Sequence, residues 1–221
     1  MFYKQVMAEI DTLGLDSLFI TIVISIFMGA VTAIQTAANI SGPLTPKYLV
    51  GFTTAQTMIL EFSPTILSLI LAGKVGSRIA SEIGSMRVTE QIDALDIMGV
   101  NSANYLILPK VVASLIINPF LVIISMAVGI FGGWLASLWA NLLPVSEYIY
   151  GAQIDFRLFI IIYALIKAQV FAIIITTVSS YQGYYTQGGA LEVGTASTRA
   201  VVQSSIILLL FNLILTELLL T

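Results

Sequence analysis

The sequence GSMRVTEQIDALDIMG, residues 84–99, is a short charged segment between two long apolar stretches of the chain. At helical spacing its apolar residues fall on one side and its acidic residues on another. The apolar set is Val88, Ile92 and Leu95, and the acidic set is Glu90, Asp93 and Asp96. Arg87 precedes them, and Gly99 stands where a helix would end. The segment therefore predicts an amphipathic helix over residues 86–99, with apolar helices before and after it.

The composition around this segment is that of a membrane protein. Of 221 residues, 58% are hydrophobic and 10% are charged, and the mean hydropathy is +0.99. A soluble domain carries about 25% charged residues. The sequence has neither cysteine nor histidine, which excludes disulfides, thiol nucleophiles, imidazole bases and the usual zinc sites. The net charge of −3 gives no indication of nucleic-acid binding, and we expect no cofactor or metal on this chain.

Five stretches are apolar over the length of about 20 residues that a membrane-spanning helix needs. We therefore predict an all-α polytopic bundle that forms a single membrane domain. Its transmembrane helices are expected at residues 17–39, 50–84, 105–140, 156–184 and 200–220, after an interfacial helix at residues 1–14. The charged segment lies between the second and third spans.

Lysine and arginine residues determine the expected orientation, because they concentrate on the cytoplasmic side of a membrane. If the charged segment is cytoplasmic, six basic residues lie at or near the inner face, and two lie outside. The six are Lys4, Lys74, Arg78, Arg87, Lys110 and Arg199, and the two are Lys47 and Arg157. This bias predicts a cytoplasmic N-terminus and an external C-terminus.

Small residues recur every four positions along two of the predicted spans. They are Gly29 and Ala33, between Ser25 and Ala37, in the first span, and Gly76, Ala80 and Gly84 in the second. This spacing lets helix backbones approach closely in lipid. It is compatible with packing inside one bundle, and also with a seam between two copies or the wall of a collapsible cavity. The stripe on the first span is the better candidate for a seam.

The charged segment has two competing interpretations. It is either a solvated helix along the inner leaflet or a coupling helix seated in a groove of a cytoplasmic partner. Anionic lipid attracts lysine and arginine, so three acidic residues disfavour the first interpretation. In the second, apolar anchors supply affinity and the acidic edge meets basic residues of the partner. The residues assigned to coupling are Arg87, Glu90, Ile92, Asp93, Leu95 and Asp96.

Residues 73–110, GKVGSRIASEIGSMRVTEQIDALDIMGVNSANYLILPK, resemble the signature of the MlaE family, the permease subunits of MCE-type ABC lipid transporters. The family pattern begins with G-x-x-G-[SA], continues with E-[IL]-G-x-M-R-x-[TS]-E-Q and ends with Pro-[KR]. Residues 61–64, EFSP, stand where the family usually has E-x-G-P, and residues 198–205, TRAVVQSS, also agree. The sequence departs from the family at Leu60, where relatives often have arginine.

This resemblance implies a homodimeric permease of the bacterial inner membrane that moves phospholipid between the inner and outer membranes. It also implies two cytoplasmic ABC ATPase subunits, which bind ATP and magnesium, and a periplasmic ring of MCE-domain proteins. The chain lacks the G-x-x-x-x-G-K-[ST] loop that cradles nucleotide phosphates, so we expect ATP hydrolysis on a partner. The alternative is a non-ABC membrane scaffold that docks a soluble protein through its acidic segment.

Two charged residues lie well inside the predicted spans, away from the span ends, where charges are costly and usually functional. Glu61 lies in the second span, and Lys167 lies near the middle of the fourth. In one interpretation they pair with each other or with backbone groups. In the other, Glu61 borders an outward-facing lipid cavity, as the resemblance implies for the matching family position. Gln35 and Ala37 on the first span are further candidates for that cavity, and Gln35 is alternatively an interhelical hydrogen bonder.

Overall fold

The computed structural model describes residues 2–40 and 45–220, and within them all regular structure is helical. Five helices are long and apolar enough to span a membrane. In chain order the spans are Phe2–Asn39, Tyr48–Val88, Ser102–Trp139, Leu158–Tyr184 and Ala190–Leu220. Two shorter helices lie between them: the charged helix, Gln91–Ile97, after the second span, and the loop helix, Val145–Gln153, after the third. The prediction of an all-α fold with five spans is confirmed.

The first span is longer than predicted. It runs from Phe2 to Asn39, so the segment expected as an interfacial helix is its continuous N-terminal extension. A π-helical turn at Asp11–Leu15 marks the junction between the two parts. The predicted segment also included Met1, which lies outside the described residues. The interfacial position itself stays a prediction.

The fifth span begins at Ala190, ahead of the predicted start at residue 200. Its first turns are polar, so apolar length alone did not include them. The carboxylate of Glu192 accepts a hydrogen bond from the backbone N–H of Gly189 at 2.9 Å. Such a bond satisfies one of the N–H groups that a helix start leaves without a partner, and it stabilises the earlier start.

The second span contains two π-helical stretches, Met58–Ile66 and Ala72–Gly76. Pro64 lies in the first of them. Proline has no N–H to donate and its ring crowds the preceding turn, so the wider π geometry accommodates it without ending the helix. Glu61 lies in the same stretch, where the regular hydrogen-bonding pattern of the helix is interrupted.

The charged segment differs from the single helix predicted over residues 86–99. The second span ends at Val88, and the charged helix begins only at Gln91. Between them Glu90 adopts a left-handed conformation with φ of 60°. Because a left-handed residue cannot continue a right-handed helix, the break separates Val88 from the other two apolar residues and Glu90 from the other two acidic residues. Neither set therefore forms one continuous helical face.

The described residues fall into two compact units. The first unit contains those of Met1–Ser17, Ser68–Pro119 and Lys167–Thr221. The second unit contains those of Leu18–Leu67 and Phe120–Ile166.

In the second unit, the small-residue stripe of the first span packs against the third span. A Cβ atom added to Gly29 would lie 1.8 Å from the carbonyl oxygen of Gly129, so the two backbones are in direct contact. Ala33 is fully buried, and the hydroxyl oxygens of Ser25 and Ser125 are 2.8 Å apart. The chain itself covers this surface, which favours packing inside one copy over a seam between two.

In the first unit, the stripe of the second span packs against the fourth and fifth spans. Gly76 faces Ser179 of the fourth span, and Gly84 faces Val193 of the fifth. Ala80, between them, is fully buried. These small residues therefore let the second, fourth and fifth spans approach one another closely. The charged helix follows shortly after this contact in the sequence.

Candidate functional site

The start of the third span is held by a buried lysine between two carboxylates. Lys110 Nζ lies 2.6 Å from Glu9 Oε1 and 2.9 Å from Glu82 Oε2, and the lysine side chain is 3% exposed. Glu9 belongs to the first span and Glu82 to the second. This group, which we call the lysine triad, joins three spans in the first unit.

A second set of contacts joins the π-helical turn Asp11–Leu15 to the second span. Arg78 donates to the Asp16 carboxylate at 3.0 Å and to the Thr12 carbonyl oxygen at 3.3 Å. Lys74 donates to the carbonyl oxygen of Asp16. A π turn breaks the regular pairing of helical carbonyl groups, which leaves these oxygens able to accept bonds from side chains. The N-terminal helix is therefore fastened to the second and third spans.

The charged helix is attached to the rest of the first unit at its beginning. Arg87 Nη1 lies 2.6 Å from Asp93 Oδ1, so an ion pair bridges the break at Glu90. Ile92 is fully buried, and Leu95 is half-buried. Asp93 thus has a partner within the chain, and the buried Ile92 anchors the helix.

The end of the charged helix is closed by a Schellman motif. Val100 N–H donates to the carbonyl oxygen of Leu95, and Gly99 N–H donates to that of Asp96, both at 3.0 Å. Gly99 has φ of 78°, a conformation that a glycine adopts without strain. The predicted helix end at Gly99 therefore matches the backbone geometry.

Two large apolar side chains project from the closed end of the charged helix. Ile97 is 87% exposed and Met98 is 68% exposed, and Asp96 beside them is also exposed. Sequence reasoning assigned the anchoring role to Ile92 and Leu95 because it assumed one continuous helix. The sequence did contain a sign of this exposed surface, because two large apolar residues, Ile97 and Met98, stand directly before the glycine that ends the helix.

Glu61 lies in the second unit with two hydroxyl donors around its carboxylate. Thr65 Oγ1 donates to Glu61 Oε2 at 3.1 Å, and Tyr163 OH donates to Glu61 Oε1 at 3.5 Å. The Glu61 side chain is half-buried, so its carboxylate is oriented by the protein while the residue keeps some accessible surface. Tyr163 comes from the fourth span, and sequence reasoning did not identify it.

The other candidate residues lie in different surroundings. Gln35 is exposed on the first span, whereas Ala37 packs against the apolar cluster that contains Ala33 and Tyr148. Lys167 is fully buried in the first unit. Residues 2–40 and 45–220 contain no group of three or more acidic residues placed to hold a metal ion.

Five apolar spans, with an anchored charged helix between the second and third, are the architecture of a multi-pass membrane protein. The family described as Permease MlaE matches residues 6–218. The chain therefore belongs to the MlaE permease family.

Individual relatives agree with this assignment. A "Probable ABC transporter permease protein" of Rickettsia bellii is 36% identical over 99% of this chain and 84% of its own length. The chloroplastic protein TRIGALACTOSYLDIACYLGLYCEROL 1 of Arabidopsis thaliana is 32% identical over 97% of this chain and 61% of its own length. The "Intermembrane phospholipid transport system permease protein MlaE" of Haemophilus influenzae is 29% identical over 97% and 82%, respectively.

Proposed function

We propose that this chain is the permease subunit of an ABC transporter that moves phospholipids between the inner and outer membranes. The observation that carries the proposal is the exposed pair Ile97 and Met98 on an anchored charged helix, in a member of the MlaE permease family. An apolar pair beside an acidic residue suits a groove on a soluble partner, with basic residues at its edge. The partner in this proposal is an ABC ATPase that binds ATP and magnesium.

The rest of the assembly follows the same proposal. Two copies of the chain form a homodimer in the bacterial inner membrane, with the charged helix and the N-terminus cytoplasmic and the C-terminus periplasmic. A periplasmic MCE-domain protein receives or delivers the lipid. The inward concentration of lysine and arginine supports this orientation.

The attachment of the charged helix supports a route by which motion of the ATPase reaches the spans. The charged helix follows the second span by two residues and precedes the third by four. The ion pair of Arg87 with Asp93 and the burial of Ile92 hold it to the first unit. A rigid-body movement of the charged helix is therefore passed directly to the two helices that flank it in the sequence.

Glu61 is the proposed contact for the lipid head group. Its carboxylate is oriented by Thr65 and Tyr163, and the half-buried side chain is accessible to a polar ligand or to bound water. Gln35, exposed on the first span, is a second polar candidate in this proposal. ATP binding drives lipid movement only if the transporter has two conformations that differ in their affinity for lipid. A lipid cavity that closes when ATP binds meets this requirement.

The test is co-purification of the ATPase with the double variant Ile97→Lys, Met98→Lys. We expect the variant to insert normally and to lose the ATPase, because two buried charges would replace two apolar contacts. Tyr150→Lys, an exposed aromatic on the loop helix, is the matched control and should keep the ATPase. Retention of the ATPase by the double variant would contradict the docking surface. Docking without any ATP-dependent lipid movement in proteoliposomes would favour the scaffold alternative.

A further inference from the structure

A cavity of about 240 Å³, which we call the polar recess, lies in the first unit where the fourth span ends and the fifth begins. Gln182 and Tyr185 line it near the end of the fourth span, and Glu192, Thr195 and Arg199 line it from the fifth. The three fifth-span residues follow one another at intervals of three and four positions, so they share one face of the helix. The polar recess therefore has one wall of a single helix face, which the preceding span completes.

Arg199 is the arginine that makes no ion pair within the described residues. The other arginines, Arg78, Arg87 and Arg157, each contact a carboxylate of the chain. A guanidinium carries five N–H donors in a planar fork, and this fork matches the oxygens of a phosphate or a carboxylate. The polar recess thus contains a cation that the described part of the chain leaves available to an anionic group.

Glu192 adds a negative charge to the polar recess without neutralising the arginine. Its carboxylate accepts the backbone N–H of Gly189 at 2.9 Å, and it makes no ion pair with Arg199. The two charged residues are about two helical turns apart on the same face. A ligand that carries both a negative and a positive charge is therefore complementary to the polar recess.

Contacts within the first unit hold the walls of the polar recess without a ligand. Gln182 Nε2 donates to Gln203 Oε1 at 2.5 Å, which joins the fourth span to the fifth. The hydroxyl of the buried Thr186 donates to the carbonyl oxygen of Gln182 at 2.8 Å. A Cβ atom on Gly84 would lie 3.4 Å from that hydroxyl oxygen, so this wall also packs on the end of the second span. The polar recess is therefore preformed and lies beside the segment that leads to the charged helix.

Exposed tyrosines mark the level of the polar recess in the membrane. Tyr181 and Tyr185 are 60% and 64% exposed, and their ring centroids are 4.8 Å apart. Tyrosines concentrate where the hydrocarbon of a bilayer meets the head groups, because the ring is apolar and the hydroxyl is polar. The continuous apolar run of the fifth span begins further along, at Ile206. The polar recess therefore lies at the depth of the lipid head groups.

The charges and the volume of the polar recess favour a lipid head group over a soluble partner. A side chain inserted by a partner protein carries at most one charge, whereas a zwitterionic head group carries a phosphate and an amine together. A volume of about 240 Å³ is smaller than the about 300–1,000 Å³ of sites for drug-sized ligands, so it suits a head group. An ammonium group with N–H donors bonds a carboxylate directly, which a trimethylated amine cannot do.

We propose that the polar recess binds the head group of a phospholipid that carries a phosphate and a primary amine. The phosphate bonds to Arg199 and the ammonium group bonds to Glu192. The lipid comes from the leaflet on the side of the charged helix. The proposal rests on the chain spanning a membrane, and it is independent of the docking of an ATPase and of the lipid contact at Glu61.

Thiol modification provides a local test, because the chain contains no cysteine. The variant Thr195→Cys places one thiol between Glu192 and Arg199. The Thr195 hydroxyl donates to the carbonyl oxygen of Glu192 in its own helix, so no hydrogen bond between spans is lost. The full-length variant is placed in nanodiscs of phosphatidylcholine, alone or in equal mixture with phosphatidylethanolamine, and its rate of reaction with a small maleimide is measured. We expect phosphatidylethanolamine to slow the reaction at least threefold, because its head group covers the thiol.

Charge variants in the Thr195→Cys background test each half of the site. Arg199→Gln should abolish the protection by phosphatidylethanolamine, and Arg199→Lys should retain part of it. Glu192→Gln keeps an oxygen acceptor at the helix start and should remove the difference between the two lipids. Arg157→Gln, which changes an exposed arginine outside the polar recess, is the matched control and should leave the protection unchanged. A thiol introduced by Thr198→Cys, at an exposed position outside the lining, should react equally fast in both lipids.

Four results would overturn the proposal. Equal rates for Thr195→Cys in the two lipid compositions would show that no head group occupies the polar recess. Protection that persists in Arg199→Gln would remove the arginine from the site. Protection by inorganic phosphate in phosphatidylcholine nanodiscs, with none from phosphatidylethanolamine, would assign the polar recess to a soluble anion. Protection that requires a bound ATPase would assign it to a partner protein.

Discussion

Replacing Lys110 with methionine should destabilise the first unit, because it removes the cation that two carboxylates share. Methionine keeps much of the volume of the lysine stem and makes no ionic contact. Glu9 is 19% exposed and Glu82 is 48% exposed, so the uncompensated charge falls mainly on Glu9. The lysine triad joins three spans, and its loss should loosen all of them together.

The magnitude follows from the burial of the three side chains. Removing one partner of a fully buried ion pair costs about 3–5 kcal/mol. The Glu82 contact is half-exposed and contributes no more than about 1 kcal/mol. Since Glu9 also keeps some exposure, we expect Lys110→Met to lower the free energy of unfolding by about 2–3 kcal/mol. For a chain of this length that corresponds to a decrease in Tm of about 4–12 °C.

The assay is thermal unfolding of the purified chain in one detergent, with a double-mutant cycle. Glu9→Gln combined with Lys110→Met should recover part of the loss, because the neutral amide no longer leaves a charge buried. Lys47→Met, at an exposed position in the second unit, is the control and should leave Tm unchanged. A decrease below about 2 °C for Lys110→Met, or no coupling in the cycle, would refute the reasoning.

Three further variants, the first with a matched control, test the packing and the charged helix. Gly29→Ala should destabilise the second unit by about 1–3 kcal/mol, because its Cβ would meet the Gly129 carbonyl oxygen. Gly73→Ala is the control: the space around Gly73 is open, so this change should leave Tm unchanged or raise it in the thermal unfolding assay. Glu90→Gly should stabilise the turn by about 1 kcal/mol, since glycine adopts φ of 60° freely, and Tm should not fall. Ile92→Ala removes a fully buried side chain at a local cost of about 2–5 kcal/mol, and hydrogen exchange of the charged helix should rise; unchanged protection would show that Ile92 is not the anchor.

The spans were predictable from sequence because a bilayer demands a long continuous run of apolar residues. The helix boundaries that polar contacts determine were not predictable from the sequence. The fifth span extends back to Ala190 through a polar stretch that Glu192 stabilises, and apolar length carries no signal for that contact. The helix break at Glu90 was also not predictable from the sequence, because glutamate is an ordinary helix former and seldom adopts a left-handed conformation.

The candidate site was predictable in part. The position of the charged segment and its glycine end follow from local sequence, and both are present in the structure. The partners of Lys110 are separated from it by 101 and 28 residues, so only the folded chain brings them together. The same holds for Tyr163 beside Glu61, which comes from a different span. Pairings between spans depend on helix rotation, and a single sequence does not specify rotation.

Under the proposed function, the charged helix has to satisfy two opposing requirements. It must present apolar side chains to a partner, and it must not move independently of the spans when that partner pulls. The structure separates the two roles along the helix: Ile92 and the pair of Arg87 with Asp93 hold its beginning, while Ile97 and Met98 project from its end. Asp93 therefore acts inside the chain, and a charge reversal there would test anchoring rather than docking. The variants at residues 97 and 98 separate these roles, because they change the exposed end and leave the anchored one intact.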